Sequence, residues 1–219
     1  LTFPDEKLMS QGWIVGIAQN SMDGQITKLI KTVERYINLT SVTKFLDLGG
    51  GHGLYAIAIS SMFPNIKSTV LDKPGIIEVA EEYIEKYQAK NHVCTVKGDY
   101  RECELPKNND IILSSFSPCG TNLHLIKKIS DSLVIGGLFV IRRHSESLGT
   151  NPFRNLEWNL VRPESSKNIT KRYGLDVIPN ISEYITKLEE SGLRLITHEP
   201  FDEVSDIIIT KKIKIEETG

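Results

Sequence analysis

Residues 45–53 read Phe45-Leu46-Asp47-Leu48-Gly49-Gly50-Gly51-His52-Gly53 and restrict the fold more than any other stretch of the chain. A short apolar run ends beside an acid, glycines follow at 49, 51 and 53, and an apolar helical segment then begins. Glycine lacks a Cβ, so such a loop turns with positive φ and lets a ligand lie against bare backbone. This is a strand, a tight turn and a helix in succession. The spacing narrows the ligand. A dinucleotide fingerprint, G-x-G-x-x-G, needs its third glycine where this chain has Leu54. A phosphate-cradling P-loop needs Gly-Lys-Ser/Thr at its end, and that triplet does not follow here.

The chain has 219 residues, enough for one large domain or a domain with an appendage. With 25% charged residues and a net charge of −2, it lacks the basic surplus of a nucleic-acid binder. No apolar run reaches the 18 or more residues of a membrane span, and no signal-peptide pattern opens the sequence. Cys94, Cys103 and Cys119 are odd in number and lack C-x-x-C spacing, so neither a disulfide framework nor a zinc site is expected. A cytoplasmic protein without a metal is the resulting expectation. Asn38-Leu39-Thr40 fits a glycosylation pattern, which carries no weight without a secretory signal.

Apolar strands alternate with amphipathic helices, which predicts an α/β fold with helices on both faces of a mostly parallel sheet. The pattern predicts a helix over 25–37 with Ile26, Leu29, Ile30, Val33 and Ile37 on one side. Strands are expected at about 44–48, 67–71, 92–96, 110–114 and 138–142, and helices at about 53–63 and 122–133. Another helix starts near Pro74 and places Ile76, Val79, Ala80, Tyr83 and Tyr87 together. Gly136-Gly137 is read as the break between the 122–133 helix and the fifth strand. Asn180-x-x-Glu183 resembles a capping box, and Gly192 suits a left-handed helix end. The segments 193–197 and 205–210 are too closely joined for a parallel crossover, so they form an antiparallel hairpin.

Ligands of an open parallel sheet gather at the carboxyl ends of its strands. Asp72 ends the second strand, 23 residues after Gly49, where a carboxylate suits the two hydroxyls of a ribose; a helix-capping role is the alternative. Gly98-Asp99-Tyr100 ends the third strand and pairs an acceptor for an adenine amino group with a ring to pack on the base. The D-x-G-x-G-x-G spacing resembles motif I of the class I S-adenosylmethionine (SAM)-dependent methyltransferases. Within that class, Phe45 to Tyr100, with the stretches about 110–143 and 179–210, resembles the small-molecule O-methyltransferases of the caffeate and hydroxyindole type, through Phe45 to Ala80, Gly98-Asp99-Tyr100, and 181–193 before the hairpin. Asp72-Lys73-Pro74 matches the Asp-Leu-Pro common in that group. The resemblance covers about two thirds of the chain. It implies a seven-stranded Rossmann-like sheet, SAM as cofactor, and a pocket lined by Asp47, Gly49, Gly51, Gly53, Asp72, Lys73, Asp99, Tyr100 and Ser114.

The acid–base residues depart from that pattern. A phenol, with a pKa near 10, gains from a general base. The family's histidine slot after strand four falls here on Cys119, and its supporting glutamate on Arg143. Cys119 is then either a reactive thiol or a small loop residue. His144 and His124 are the candidate displaced bases, although isolated histidines are more often solvated or structural. Arg142, Arg143, Arg154 and Arg162 cluster in sequence; converging, they would hold an anionic acceptor, and apart they are solvated surface. Trp158 either walls the acceptor pocket or packs a helix on the sheet.

The resembling enzymes carry an N-terminal dimerisation region of roughly a hundred residues. Here about 42 residues precede strand one, and the chain opens with Leu1 rather than methionine, so either residues are missing upstream or the form is reduced. The expected organisation is a helical segment over 1–42, serving as a lid or dimer contact, and a SAM-binding domain over 43–219. The expected activity is methyl transfer to a small acceptor, aromatic or anionic, catalysed mainly by proximity, in a protein that forms a homodimer. The alternative is a SAM-binding protein of this fold that has lost or changed methyl transfer. A third reading, a nucleotide-binding or interaction module of another class, predicts NAD binding in place of SAM.

Overall fold

The computed structural model describes residues 6–145 and 180–214. Seven strands form one sheet in the order β3-β2-β1-β4-β5-β7-β6: β1 Lys44–Leu48, β2 Lys67–Asp72, β3 Val93–Lys97, β4 Asn109–Ser115, β5 Leu133–His144, β6 Leu193–Pro200 and β7 Ser205–Lys212. The first five pair in parallel, and β7 runs antiparallel to both β5 and β6. The expected α/β sheet with a terminal antiparallel hairpin is therefore present.

The strand sequences explain why both faces are covered. Side chains alternate between faces along a strand, and these strands are apolar on both. Phe45, Val70, Ile111, Leu113, Val140, Ile207 and Ile209 join one core cluster, while Leu46, Leu48, Leu71, Ile112, Phe139, Ile141 and Ile208 join another. The first cluster is covered by α2 (Ile26–Glu34), α3 (Leu54–Met62) and α4 (Ile77–Lys86). The second is covered by α6 (Ile126–Ser132) and α7 (Ile181–Glu190), the latter through Tyr184 and Leu188, one turn apart. Between β4 and α6 lies a single turn, α5 (Pro118–Thr121). Ahead of α2, α1 (Glu6–Asn20) runs into a kink at Ser21–Gln25, where Asp23 and Gly24 leave helical geometry and Gly24 takes φ +80°.

Three local expectations need correction. Pro74 does not open α4: Gly75 adopts φ +91°, which makes 74–76 a turn and starts the helix at Ile77. The buried face of α4 is consequently Ile77, Val79, Ala80 and Ile84, while Tyr87 is left exposed. The expected helix over 122–133 is a 3-10 turn (Leu123–Leu125) followed by α6. Gly136-Gly137 breaks no helix. It sits within β5, where the β4–β5 register shifts between Asn109 and Ile111 and Gly136 has φ +86°. A Cβ at Gly137 would stand 3.0–3.1 Å from three carbonyl oxygens, so the bulge requires its absence.

Candidate functional site

The strand order reverses at β1, which pairs β2 on one side and β4 on the other. Such a switch point opens a crevice at the carboxyl ends of the two central strands. The loop after β1 and the loop after β4 meet there. A Cβ on Gly49 would lie 1.9 Å from Ser117 Oγ, so the bare glycine is what lets the two loops touch. Gly49, Gly51 and Gly53 take φ values of +68°, +52° and +68°. The expected glycine turn is thus built in left-handed backbone that side-chain-bearing residues seldom adopt.

Two carboxylates stand at this turn. Asp72 is 9% exposed; its Oδ2 accepts the Gly51 N–H at 2.9 Å and its Oδ1 accepts the Lys73 N–H at 2.7 Å. An ionised carboxylate offers about four acceptor positions, so two remain for a ligand. Burial pushes the Asp72 carboxyl up, against these two hydrogen bonds and the Lys73 charge. Asp47 is 1% exposed, and its Oδ2 is buried without a hydrogen-bond partner. Its carboxyl is pushed up to about 7, first by burial and then by the neighbouring Asp72 charge. A Cβ on Gly50 would strike that same carboxylate at 2.5–2.9 Å.

The tip of β3 is more occupied than its sequence suggests. Asp99 receives Arg101 on both oxygens, at 2.5 to 3.1 Å, and lies 3.4 Å from Lys73 Nζ. The Arg101 hydrogen bonds hold its carboxyl well below the usual carboxylate range. Tyr100 is 3% exposed within the second core cluster, with Lys73 Nζ 5.3 Å from its ring centre.

Beyond β4, Cys119 is fully buried, with Sγ 2.9 Å from Ser117 Oγ and 3.2 Å from the Leu48 carbonyl. Burial pushes its thiol up to about 12, so it is neither a thiolate nucleophile nor a base near neutral pH. Ser114 Oγ turns inward towards the Ser117 carbonyl and Cys119, both at 3.5 Å. His144, at the end of β5, is exposed, with its ring 4.6 Å from Phe116. His124 is exposed in the turn before α6, its N–H held by Asn122 Oδ1.

Arg142 and Arg143 take different partners. Arg142 is 6% exposed and bonds Asp202 at 2.6 Å, Ser205 Oγ at 3.1 Å and the Tyr55 hydroxyl at 3.3 Å. Its guanidinium lies 4.5 Å from the ring centres of both Phe116 and Phe201. Arg143, equally buried, donates to the His144 carbonyl at 3.4 Å. Arg154, Trp158 and Arg162 lie outside the described residues. Among the described residues, no group of three or more His, Cys, Asp or Glu is arranged to hold a metal ion, and no helix is long and apolar enough to cross a membrane.

Ser117, Phe116 and His52 went unremarked in the sequence reading, whereas Ile14 belongs to the 1–42 segment expected to serve as a lid or dimer contact. Ser117 and Phe116 gave no local signal, and Phe116 takes an unusual φ of +53°. His52 stood inside the glycine motif, but only the fold reveals that it is 4% exposed and bonded to Ser21. Ile14 of α1 lies over the turn, 3.3 Å from where a Gly51 Cβ would sit.

Comparison with known proteins agrees with this geometry. Residues 17–159 match the O-methyltransferase domain family model. An uncharacterised protein of Methanocaldococcus jannaschii is 35% identical over 175 residues, 78% of this chain and 47% of that protein. Bovine acetylserotonin O-methyltransferase is 26% identical over 133 residues, 59% of this chain and 38% of the enzyme. The chain spans about half the length of the first curated relatives it matches. Among solved structures, an O-methyltransferase family 2 protein from Planctomyces limnophilus, in complex with apigenin, superposes with a TM-score of 0.72 at 19% identity, covering 95% of this chain and 62% of that one. Human N-acetylserotonin methyltransferase in complex with SAM gives 0.63 at 18% identity, covering 95% and 57%. With its domain match over well over half its length, a glycine turn at the sheet's switch point and an acid beside it, the chain belongs to the O-methyltransferase domain family.

Proposed function

We propose that the chain binds SAM at the β1–β4 crevice and transfers its methyl group to a small-molecule acceptor. The observation that carries this reading is the buried Asp72 carboxylate, tied to the glycine turn through Gly51 with acceptor positions left over for two vicinal hydroxyls. The donor set fits the cofactor. Two buried acids side by side repel a pyrophosphate, which argues against NAD, and suit a ligand that is cationic at sulfur and nitrogen. The orphaned Asp47 Oδ2 is an acceptor that such a ligand or a water would satisfy.

Held by the glycine turn and Asp72, SAM would supply an electrophilic methyl on a sulfonium for transfer to the acceptor, with S-adenosylhomocysteine as the leaving group. The protein's share of the catalysis is positioning, and holding an acceptor near attack geometry is worth up to roughly 7–11 kcal/mol. The glycine turn offers bare backbone, Asp72 orients the ribose, and Ser117 closes the floor against Gly49. Cys119 holds its own proton and takes none from an acceptor. His144, exposed with its ring 4.6 Å from that of Phe116, is the candidate base. Arg142 is committed to Asp202, which leaves Arg143 and the region of Arg162 and Trp158 as the candidate contacts for an anionic group. The segment 1–42 is read as a cover or dimer contact on the 43–219 domain, and α1 exposes Val15.

Calorimetry with S-adenosylhomocysteine tests the cofactor site. Asp72→Ala is expected to weaken binding about a hundredfold, the loss of two hydrogen bonds to a charged acceptor. Unchanged affinity overturns the site. Methyl-labelled SAM offered with phenolic and carboxylic acceptors tests the activity. The buried, protonated Cys119 favours a second reading, a SAM-binding protein without methyl transfer, and that reading predicts binding with no labelled product.

A further inference from the structure

His52 lies inside the glycine turn but makes its bonds outside it. Its Nδ1 accepts the Leu54 N–H at 3.1 Å, which caps the start of α3. An accepting Nδ1 carries no proton, so the proton sits on Nε2, which donates to Ser21 Oγ at 3.2 Å. Ser21 is itself 5% exposed and belongs to the kinked segment that joins α1 to α2. Around this bond the same segment touches the site twice more. Ile14 packs over Gly51, and Gln11 Nε2 donates to the Gly75 carbonyl at 3.1 Å, in the loop that follows Asp72.

We infer that His52 is a positioning residue: through Ser21 it latches the N-terminal helical segment onto the cofactor turn, and the latched segment holds that turn in its binding conformation. This rests on the reading that the turn holds SAM. Three positive-φ glycines in five residues have much freedom to lose when a ligand orders them. A turn held beforehand from above, by Ile14 and the Ser21–His52 bond, loses less on binding, and affinity rises by the difference. The arrangement gives a buried histidine with no acid–base part in the reaction a defined task.

Two substitutions separate the latch from the helix cap. Glutamine places an amide N–H near the position of Nε2 and so preserves the bond to Ser21. Asparagine places an acceptor near the position of Nδ1 and so preserves the bond from Leu54. In the full chain, amide hydrogen exchange over 11–25 and S-adenosylhomocysteine affinity are measured for Ser21→Ala, His52→Gln and His52→Asn. The latch predicts faster exchange and three- to tenfold weaker binding for Ser21→Ala and His52→Asn, with His52→Gln near wild type in both. Ser21→Ala matching wild type in both measurements overturns it. So does weakened binding in His52→Gln but not in His52→Asn, which would make the cap the element that matters. A wild-type chain with no affinity for S-adenosylhomocysteine removes the cofactor reading and the coupling together, a result distinct from intact binding that ignores the latch.

Discussion

Asp47 shows how one buried side chain sets a pH response. In the folded protein its carboxyl titrates at about 7, against an ordinary value of 3.8. Between those values the native state holds a proton that the unfolded chain releases, so stability falls as pH rises through this window. Asp47→Asn keeps the shape and removes the titration. It is expected to match wild type in urea midpoint near pH 4 and to exceed it at pH 8, by on the order of 4 kcal/mol. A variant curve that runs parallel to wild type across both pH values contradicts the assignment. His52 works with the opposite sign: burial pulls its imidazole down to about 4, so between about 6.5 and 4 the unfolded chain takes up a proton that the native state does not, and stability falls as pH falls through that window.

The β1–α3 turn is the element on which the site depends, and its constraint is as much steric as conformational. Gly49→Ala would place a Cβ 1.9 Å from Ser117 Oγ while holding φ at +68°. The left-handed backbone alone costs about 1–2 kcal/mol for a residue with a side chain. The collision adds to it. The double variant Gly49→Ala with Ser117→Gly removes the collision and leaves the backbone cost, so it is expected to regain part of the lost stability in thermal unfolding, but not all. Full recovery would mean that φ at this position is unconstrained. The turn's motif was legible because glycine spacing is a local property. Its contact with Ser117 was not, because 68 residues separate the two and only the β1–β4 pairing brings them together.

At the scale of the molecule, Arg142 joins parts that no sequence interval connects. From β5 it reaches Asp202 and Ser205 at the hairpin, Tyr55 on α3, and the Phe116 and Phe201 rings on either side. Burial would raise the Asp202 carboxyl, but the Ser205 and Val204 hydrogen bonds and the Arg142 charge together leave it lowered. Removing one member of a buried ion pair strands the other. Arg142→Met is therefore expected to destabilise the fold by about 3 kcal/mol, since Asp202 keeps its other partners. Denaturant unfolding measures this, and an unaltered midpoint would show that Phe116 and the hairpin hold without the arginine. Read as sequence, Arg142 was one of four arginines suited to an anionic acceptor. The fold gives it to Asp202 instead.

What the chain determined by itself was written in short intervals, although not every local signal held, as Pro74 and Gly136-Gly137 show. The short apolar strands, the Asn180 cap, whose Oδ1 accepts the Glu183 N–H at 2.8 Å, the closing hairpin and the glycine turn are all patterns within about ten residues. Burial and pairing decided the rest. The thiol of Cys119, the imidazole of His52 and the carboxyl of Asp47 take their protonation from surroundings assembled from distant strands and helices. A side chain's chemistry is printed in the sequence, but its dielectric environment and its hydrogen-bond partners come into being only when the sheet closes around it.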